Sequence, residues 1–151
     1  MKLFPLAVLF LLLGGNESRF VSPCHLAHML YKAKVDGLGG VSLADWICFA
    51  THGSKLNSGG LITYVGGYRN YGIFQLTNTE HCHDTAKDSE NICKTCCVYF
   101  LNEDLSDDIE CLKRHIMIHG GLKSWSAWRD HCRDKNVHHY IEDCGLDIKE
   151  T

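Results

Sequence analysis

Apolar residues recur at helical spacing in three stretches of this chain and thin out into a different texture between them. Pro23 is suited to the first turn of a helix, and Leu26, Leu30 and Ala33 follow down one side before Gly37, Gly39 and Gly40 end it. Ser42 reads as an N-cap with Asp45 three positions on, and Leu43, Trp46, Ile47 and Ala50 continue as a second helix. Gly59 and Gly60 then break the pattern. Ile62, Tyr64, Tyr71, Ile73 and Phe74 sit among β-formers around a Gly66-Gly67 turn, which predicts a small antiparallel patch too short to stand alone. Ser106 reads as the cap of a third helix with Ile109, Leu112 and Ile116 on its apolar side, stopped by Gly120-Gly121. Trp125 and Trp128 lie on a short segment beyond it. Helices flanking a small strand cluster make an α+β domain.

The first residues follow another rule. Lys2 supplies a positive end and Leu3 to Leu13 is almost wholly apolar, interrupted by Pro5 and followed by polar Asn16, Glu17 and Ser18. This reads as an export signal over residues 1–18, leaving one domain over 19–151 and a secreted, extracellular product. The apolar run is short of the roughly 20 residues that span a bilayer, so no membrane span is expected.

Export changes the meaning of the nine cysteines, at 24, 48, 82, 93, 96, 97, 111, 132 and 144. In an oxidising compartment they read as a disulfide framework, in preference to a zinc cluster of Cys93, Cys96 and Cys97 with His81 and His83. The count is odd, so at least one thiol lacks an intramolecular partner. Eight paired cysteines allow about 105 connectivities, and spacing does not choose among them. The formal charge is −3, ten histidines move it upward below neutral pH, and no basic stripe is visible. Nucleic acid and anionic membrane are therefore poor partners, as is a strongly anionic polymer.

One stretch joins the staple pattern to a concentration of oxygen donors. It runs Cys93-x3-Cys97-x2-Phe100-x3-Asp104-Leu105-x5-Cys111, with Asn102, Glu103, Asp107 and Asp108 also in it. Calcium takes about six to eight oxygens, partly from carboxylates and backbone carbonyls, and this segment offers that density. Three further motifs accompany it: Asp36-Gly37-x-x-Gly40-x-Ser42-Leu43-Ala44-x-Trp46, Tyr71-Gly72-Ile73-Phe74-Gln75 and Trp125-x-Ala127-Trp128-Arg129. Together these residues resemble the C-type lysozyme and α-lactalbumin family, glycoside hydrolase family 22, over essentially all of Arg19 to Gly145.

The resemblance implies a helical lobe, a small β lobe and a saccharide cleft between them. It implies the pairs Cys24–Cys144, Cys48–Cys132, Cys82–Cys97 and Cys93–Cys111. Cys96 is then the extra residue: a buried inert thiol, a capped thiol or an intermolecular bridge, with a monomer expected unless it cross-links. It implies calcium ligation by the side chains of Asn102, Asp107 and Asp108 and the backbone oxygens of Tyr99 and Asp104. Relatives usually carry aspartate where Asn102 stands, so one negative charge is missing. A non-ligating reading has Asp107 and Asp108 simply favouring a helix N-terminus.

The same resemblance places the family's acid five residues after Cys48, where this chain has Gly53, and its second carboxylate directly before Tyr71, where this chain has Asn70. Glycosidases of this kind use two carboxyl groups astride the scissile bond. One protonates the leaving oxygen and the other stabilises or captures the oxocarbenium-like sugar, a division of labour for which lysozyme itself is the type case. The expectation is therefore that the chain is not an enzyme. The cleft residues implied are Gln75, Thr77 in place of a sugar-binding asparagine, and Trp125, which reads first as packing beside Gly53. Glu80-His81 replaces a glycan-stacking aromatic pair. The expected function is a secreted non-catalytic protein that binds calcium, with glycan or a protein partner at the cleft. The alternatives are a weakly active lysozyme acting on peptidoglycan and an α-lactalbumin-type modulator of a galactosyltransferase, the latter suggested by His52.

Overall fold

A computed structural model of the chain describes residues 19–148, so the export signal expected over 1–18 lies outside the described residues. Helix α1 (Pro23–Lys32) begins where the Ser22 hydroxyl accepts from the His25 N–H at 3.1 Å, with Pro23 in the first turn. Its Leu26, Ala27 and Leu30 are buried. A 3-10 turn, Leu38–Gly40, leads to α2 (Leu43–Gly53). Ser42 caps α2 by accepting from Asp45 N–H at 3.1 Å, and the Asp36 carboxylate accepts from Leu43 N–H at 2.9 Å. Gly39 is required at the crossing: its φ is +65°, and a Cβ there would lie 2.6 Å from the Ile116 side chain.

Strands β1 (Leu61–Thr63), β2 (Arg69–Tyr71) and β3 (Leu76–Thr77) form one antiparallel sheet in that order. Ile62 faces Asn70, and Asn70 faces Thr77 across the other edge of β2. Strands of two or three residues are held mainly by what surrounds them. Asn78 accepts from Arg69 N–H at 3.0 Å and donates to the Gly67 carbonyl at 2.9 Å, closing the turn. A 3-10 turn, Cys97–Leu101, carries the chain to α3 (Ser106–His119), then α4 (Ser126–His131) and a last 3-10 turn, His138–Tyr140.

The core runs under all of these. Trp46, Phe49, Phe74, Phe100, Leu26, Leu30, Ile47 and Leu112 are fully buried. Trp128 donates its indole N–H to Asp45 at 2.8 Å, tying α4 to the start of α2. The four disulfides are Cys24–Cys144, Cys48–Cys132, Cys82–Cys97 and Cys93–Cys111, as the resemblance implied, and Cys96 is free.

Two local expectations are corrected. Ser106 does not cap α3; it is the first residue of the helix, and the Asp104 carboxylate accepts from its N–H at 3.0 Å and its hydroxyl at 2.6 Å. A carboxylate two residues upstream reaches those donors better than a side chain already in the helix. Ile73 and Phe74 are not in a strand; they lie in the turn between β2 and β3, where both are fully buried. Their β-type side chains serve the core there, and burial overrides propensity.

Candidate functional site

Gly53 is the last residue of α2, and the next residue fastens that helix to the β lobe: Ser54 donates its hydroxyl to the Ile73 carbonyl at 2.7 Å. A Cβ built on Gly53 would make ordinary contacts, 3.4 Å from Phe49 and 3.8 Å from Ala127. Nothing in the packing demands glycine. Asn70 is half-buried in the middle of β2.

Of the other residues expected in the cleft, Gln75 is buried, only 4% exposed, and has a positive φ of 51°. Its amide donates to the Gly72 carbonyl at 2.9 Å, so it braces the β2–β3 turn from inside. Thr77 donates its backbone N–H to His81 Nδ1 at 2.9 Å. Trp125 is half-buried, with ring centroids 5.2 Å from Phe49, 4.3 Å from His115 and 6.0 Å from His81. The packing role read for it from sequence is therefore present, and its surroundings also include two histidines.

Those histidines belong to a cluster that sequence reading does not assemble. Glu80 Oε1 lies 3.2 Å from His115 Nδ1 and 2.8 Å from His119 Nε2, and His81 Nε2 lies 3.0 Å from His115 Nδ1. The hydrogen bond from His115 holds the Glu80 carboxyl below its usual range, outweighing its partial burial. Burial pushes His81 down to about 4, so its ring is neutral near pH 7. The available signal is the spacing of His115 and His119, four apart on one helix face. By itself that spacing is incomplete, because nothing local to α3 announces Glu80.

In the acidic loop, Tyr99, Asn102 and Asp104 are exposed, Asp107 is half-buried, and Asp108 is fully buried. Asp107 accepts from the Asp108 N–H at 3.1 Å. Both carboxylate oxygens of Asp108 lack a hydrogen-bond partner. Burial first, and the neighbouring Asp107 second, push its carboxyl up to about 9. Gly72 is pressed against this group: at φ +72° a Cβ would collide with the Phe100 carbonyl and sit 2.9 Å from an Asp108 oxygen. An all-oxygen donor set containing a buried, unpartnered carboxylate fits a hard cation such as calcium. Asn102, Asp107 and Asp108 would hold it by side chains, and Tyr99 and Asp104 by backbone oxygens.

Cys96 is partly exposed, with its sulfur 3.3 Å from His83 Nε2; His83 Nδ1 lies 3.2 Å from Asn91 Nδ2. It is therefore not a buried thiol. His52 is exposed on α2, 2.9 Å from the Tyr140 hydroxyl and stacked on His131 at 4.3 Å.

The model of the C-type lysozyme/alpha-lactalbumin family matches residues 19–144. The chain belongs to that family. It is 40% identical to the milk isozyme of lysozyme C from Equus caballus, over 83% of this chain and 98% of that one. It is 43% identical to lysozyme C-1 of Sus scrofa, over 82% and 96%. The crystal structure of lysozyme from Equus asinus superposes with a TM-score of 0.79 at 38% identity, covering 84% of this chain and 99% of that one. The lysozyme fold, with helices, a three-stranded antiparallel sheet and four disulfides, is thus shared. Four disulfides fit an extracellular protein. No helix among the described residues is long and apolar enough to cross a membrane.

The expectation that this family member is not an enzyme is overturned by its relatives: those at 36–43% identity are lysozymes C. The physical reason is that two replaced side chains do not decide an activity. Serine hydrolases stripped of a triad member, for example, retain roughly 10³–10⁴-fold catalysis over water from binding and fixed dipoles.

Proposed function

We propose that this lysozyme-family chain is a secreted protein that takes calcium in the loop 99–108 and binds glycan in the cleft beside Gly53, Asn70, Thr77 and Trp125. The observation that carries the reading is Asp108, a buried carboxylate with two unpartnered oxygens directly behind the β2–β3 turn. A cation there neutralises the charge that Asp107 and Asp108 bring together. Through Gly72 it also steadies the turn that follows Asn70. The cleft keeps one large aromatic wall, Trp125, and polar groups suited to sugar hydroxyls.

Hydrolysis of the bound glycan is the second reading, favoured by the lysozymes C among the relatives. Both are tested together. Oligomers of N-acetylglucosamine are titrated against tryptophan fluorescence in calcium, and peptidoglycan turnover is followed beside a Gly53→Glu/Asn70→Asp double variant. Saturable binding that Trp125→Ala weakens supports the cleft. An added acid catalyst is worth about 10²- to 10⁴-fold, so the double variant is expected to turn over at least about 10²-fold faster than the natural chain. Equal rates would reject Gly53 and Asn70 as the reaction positions, and absence of oligomer binding would reject the glycan reading.

A further inference from the structure

We propose that Glu80, His115 and His119 form a binding site for a first-row divalent transition ion of the zinc class, separate from the calcium loop. One ligand atom from each lies within 4.8 Å of the others. Zinc bonds to imidazole and carboxylate at roughly 2.0–2.2 Å, which in a tetrahedron separates neighbouring ligand atoms by about 3.3 Å. The Glu80 oxygen already lies 3.2 Å and 2.8 Å from its two histidine nitrogens, and the three ligand atoms lie within 4.8 Å of one another, so uptake needs the two imidazoles to close on a shared centre by side-chain rotation. Two imidazoles and one carboxylate form a donor set that suits zinc and disfavours calcium or magnesium, which take oxygen.

The three ligands ride on braced elements. His115 and His119 are one turn apart on α3, and Cys111, one turn earlier, is bonded to Cys93. The segment at Cys93 is in turn paired with the Glu80 loop: Ile92 N–H donates to the Glu80 carbonyl and Cys93 N–H to the His81 carbonyl, each at 2.9 Å. The carboxylate is thereby held over the helix face through backbone and disulfide. Such preorganisation lowers the entropic cost of assembling a site.

His81 Nδ1 accepts from Thr77 N–H at 2.9 Å, which holds the His81 ring with its Nε2 3.0 Å from His115 Nδ1, the same atom that meets Glu80. An ion on His115 takes Nδ1 in place of these contacts, with the ring proton on Nε2. Access is from solvent, since the side chains of His119 and Glu80 are 40% and 28% exposed while His115 is 1% exposed. Three protein ligands leave a fourth position for water or a sugar hydroxyl, as in open zinc sites. The site abuts Trp125, 4.3 Å from the His115 ring, so an ion there lies against the cleft wall. The inference holds whether or not glycan occupies the cleft.

The test is isothermal titration of the full mature chain with zinc chloride under saturating calcium, which keeps the acidic loop filled. One equivalent is expected to bind. His119→Gln and Glu80→Gln are each expected to weaken binding by about tenfold or more, since even outer partners of metal ligands cost about 10- to 100-fold. His83→Gln, beside Cys96, is expected to leave binding unchanged. Cobalt titration supplies a second readout: quenching of tryptophan fluorescence that His119→Gln removes. Melting curves in metal-free buffer establish that the variants fold; because His119 is largely exposed, they are expected to match the natural chain. No binding, or binding lost in His83→Gln and kept in His119→Gln, would overturn the proposal.

Discussion

Asp84, in the loop beyond β3, and Asp108, in the first turn of α3, are carboxylates withdrawn from water in opposite ways. Burial alone would raise Asp84, but the Tyr71 hydroxyl at 2.7 Å, the Ala86 N–H at 2.8 Å, the Asn78 amide and the Arg69 guanidinium at 3.5 Å hold it below its ordinary range. Asp108 receives no such donors, and burial beside Asp107 raises it to about 9. The two environments teach that desolvation by itself says little about a carboxylate; the supply of donors decides the sign. At Asp84 the protein provides its own, and the group staples β2 to the following loop. At Asp108 it provides none, which is the condition the proposed calcium site would need of a ligand.

The largest expected effect is from Asp84→Asn. It strands several donors around a half-buried anion site and should cost about 2–4 kcal/mol in denaturant unfolding. A cost below that of an ordinary surface change would show the staple to be ornamental. The pH dependence follows with a definite sign. Because the folded carboxyl is depressed, its contribution is present above the unfolded value of 3.8 and is lost as pH falls below it. Asp84→Asn should flatten that acid limb.

Calcium comes next. At about one hundred times its dissociation constant, a ligand bound only by the folded state adds about 2.7 kcal/mol. Melting curves should therefore separate between calcium and chelator, the gap closing in Asp108→Asn and persisting in Asp84→Asn. Coincident curves for the natural chain would remove calcium from the account. In chelator, the raised Asp108 carboxyl has the opposite slope to Asp84: its contribution is complete below pH 3.8 and declines as pH rises through about 9.

The smallest effect concerns Gly53, where the packing has room for a side chain. Gly53→Ala should stabilise the protein by about 0.4–1 kcal/mol through reduced freedom of the unfolded chain. A loss instead would mean that the glycine itself is needed at the end of α2.

The helices are legible because their signals are local. Pro23 stands in the first turn of α1 and Ser42 caps α2, and the apolar sides of α1, α2 and α3 are the buried ones. The four disulfides follow from resemblance, since spacing leaves the pairing open. Inactivity does not follow from Gly53 and Asn70, because an activity belongs to a whole cleft. Ser106 resembles a cap in the sequence, yet Asp104 reaches the same donors from outside the helix.

What the chain determined by itself was whatever depends on neighbours within a turn or two: caps, apolar periodicity, the acid-rich loop and the exposed or buried side of each helix. Tertiary structure alone decided which distant groups share an environment. Folding set Glu80 against two histidines of α3 and laid the Asp108 carboxylate against Gly72 without a donor. Charge and hydrogen bonding act over a few ångströms of space, and contacts far apart along the chain have no signature in local sequence.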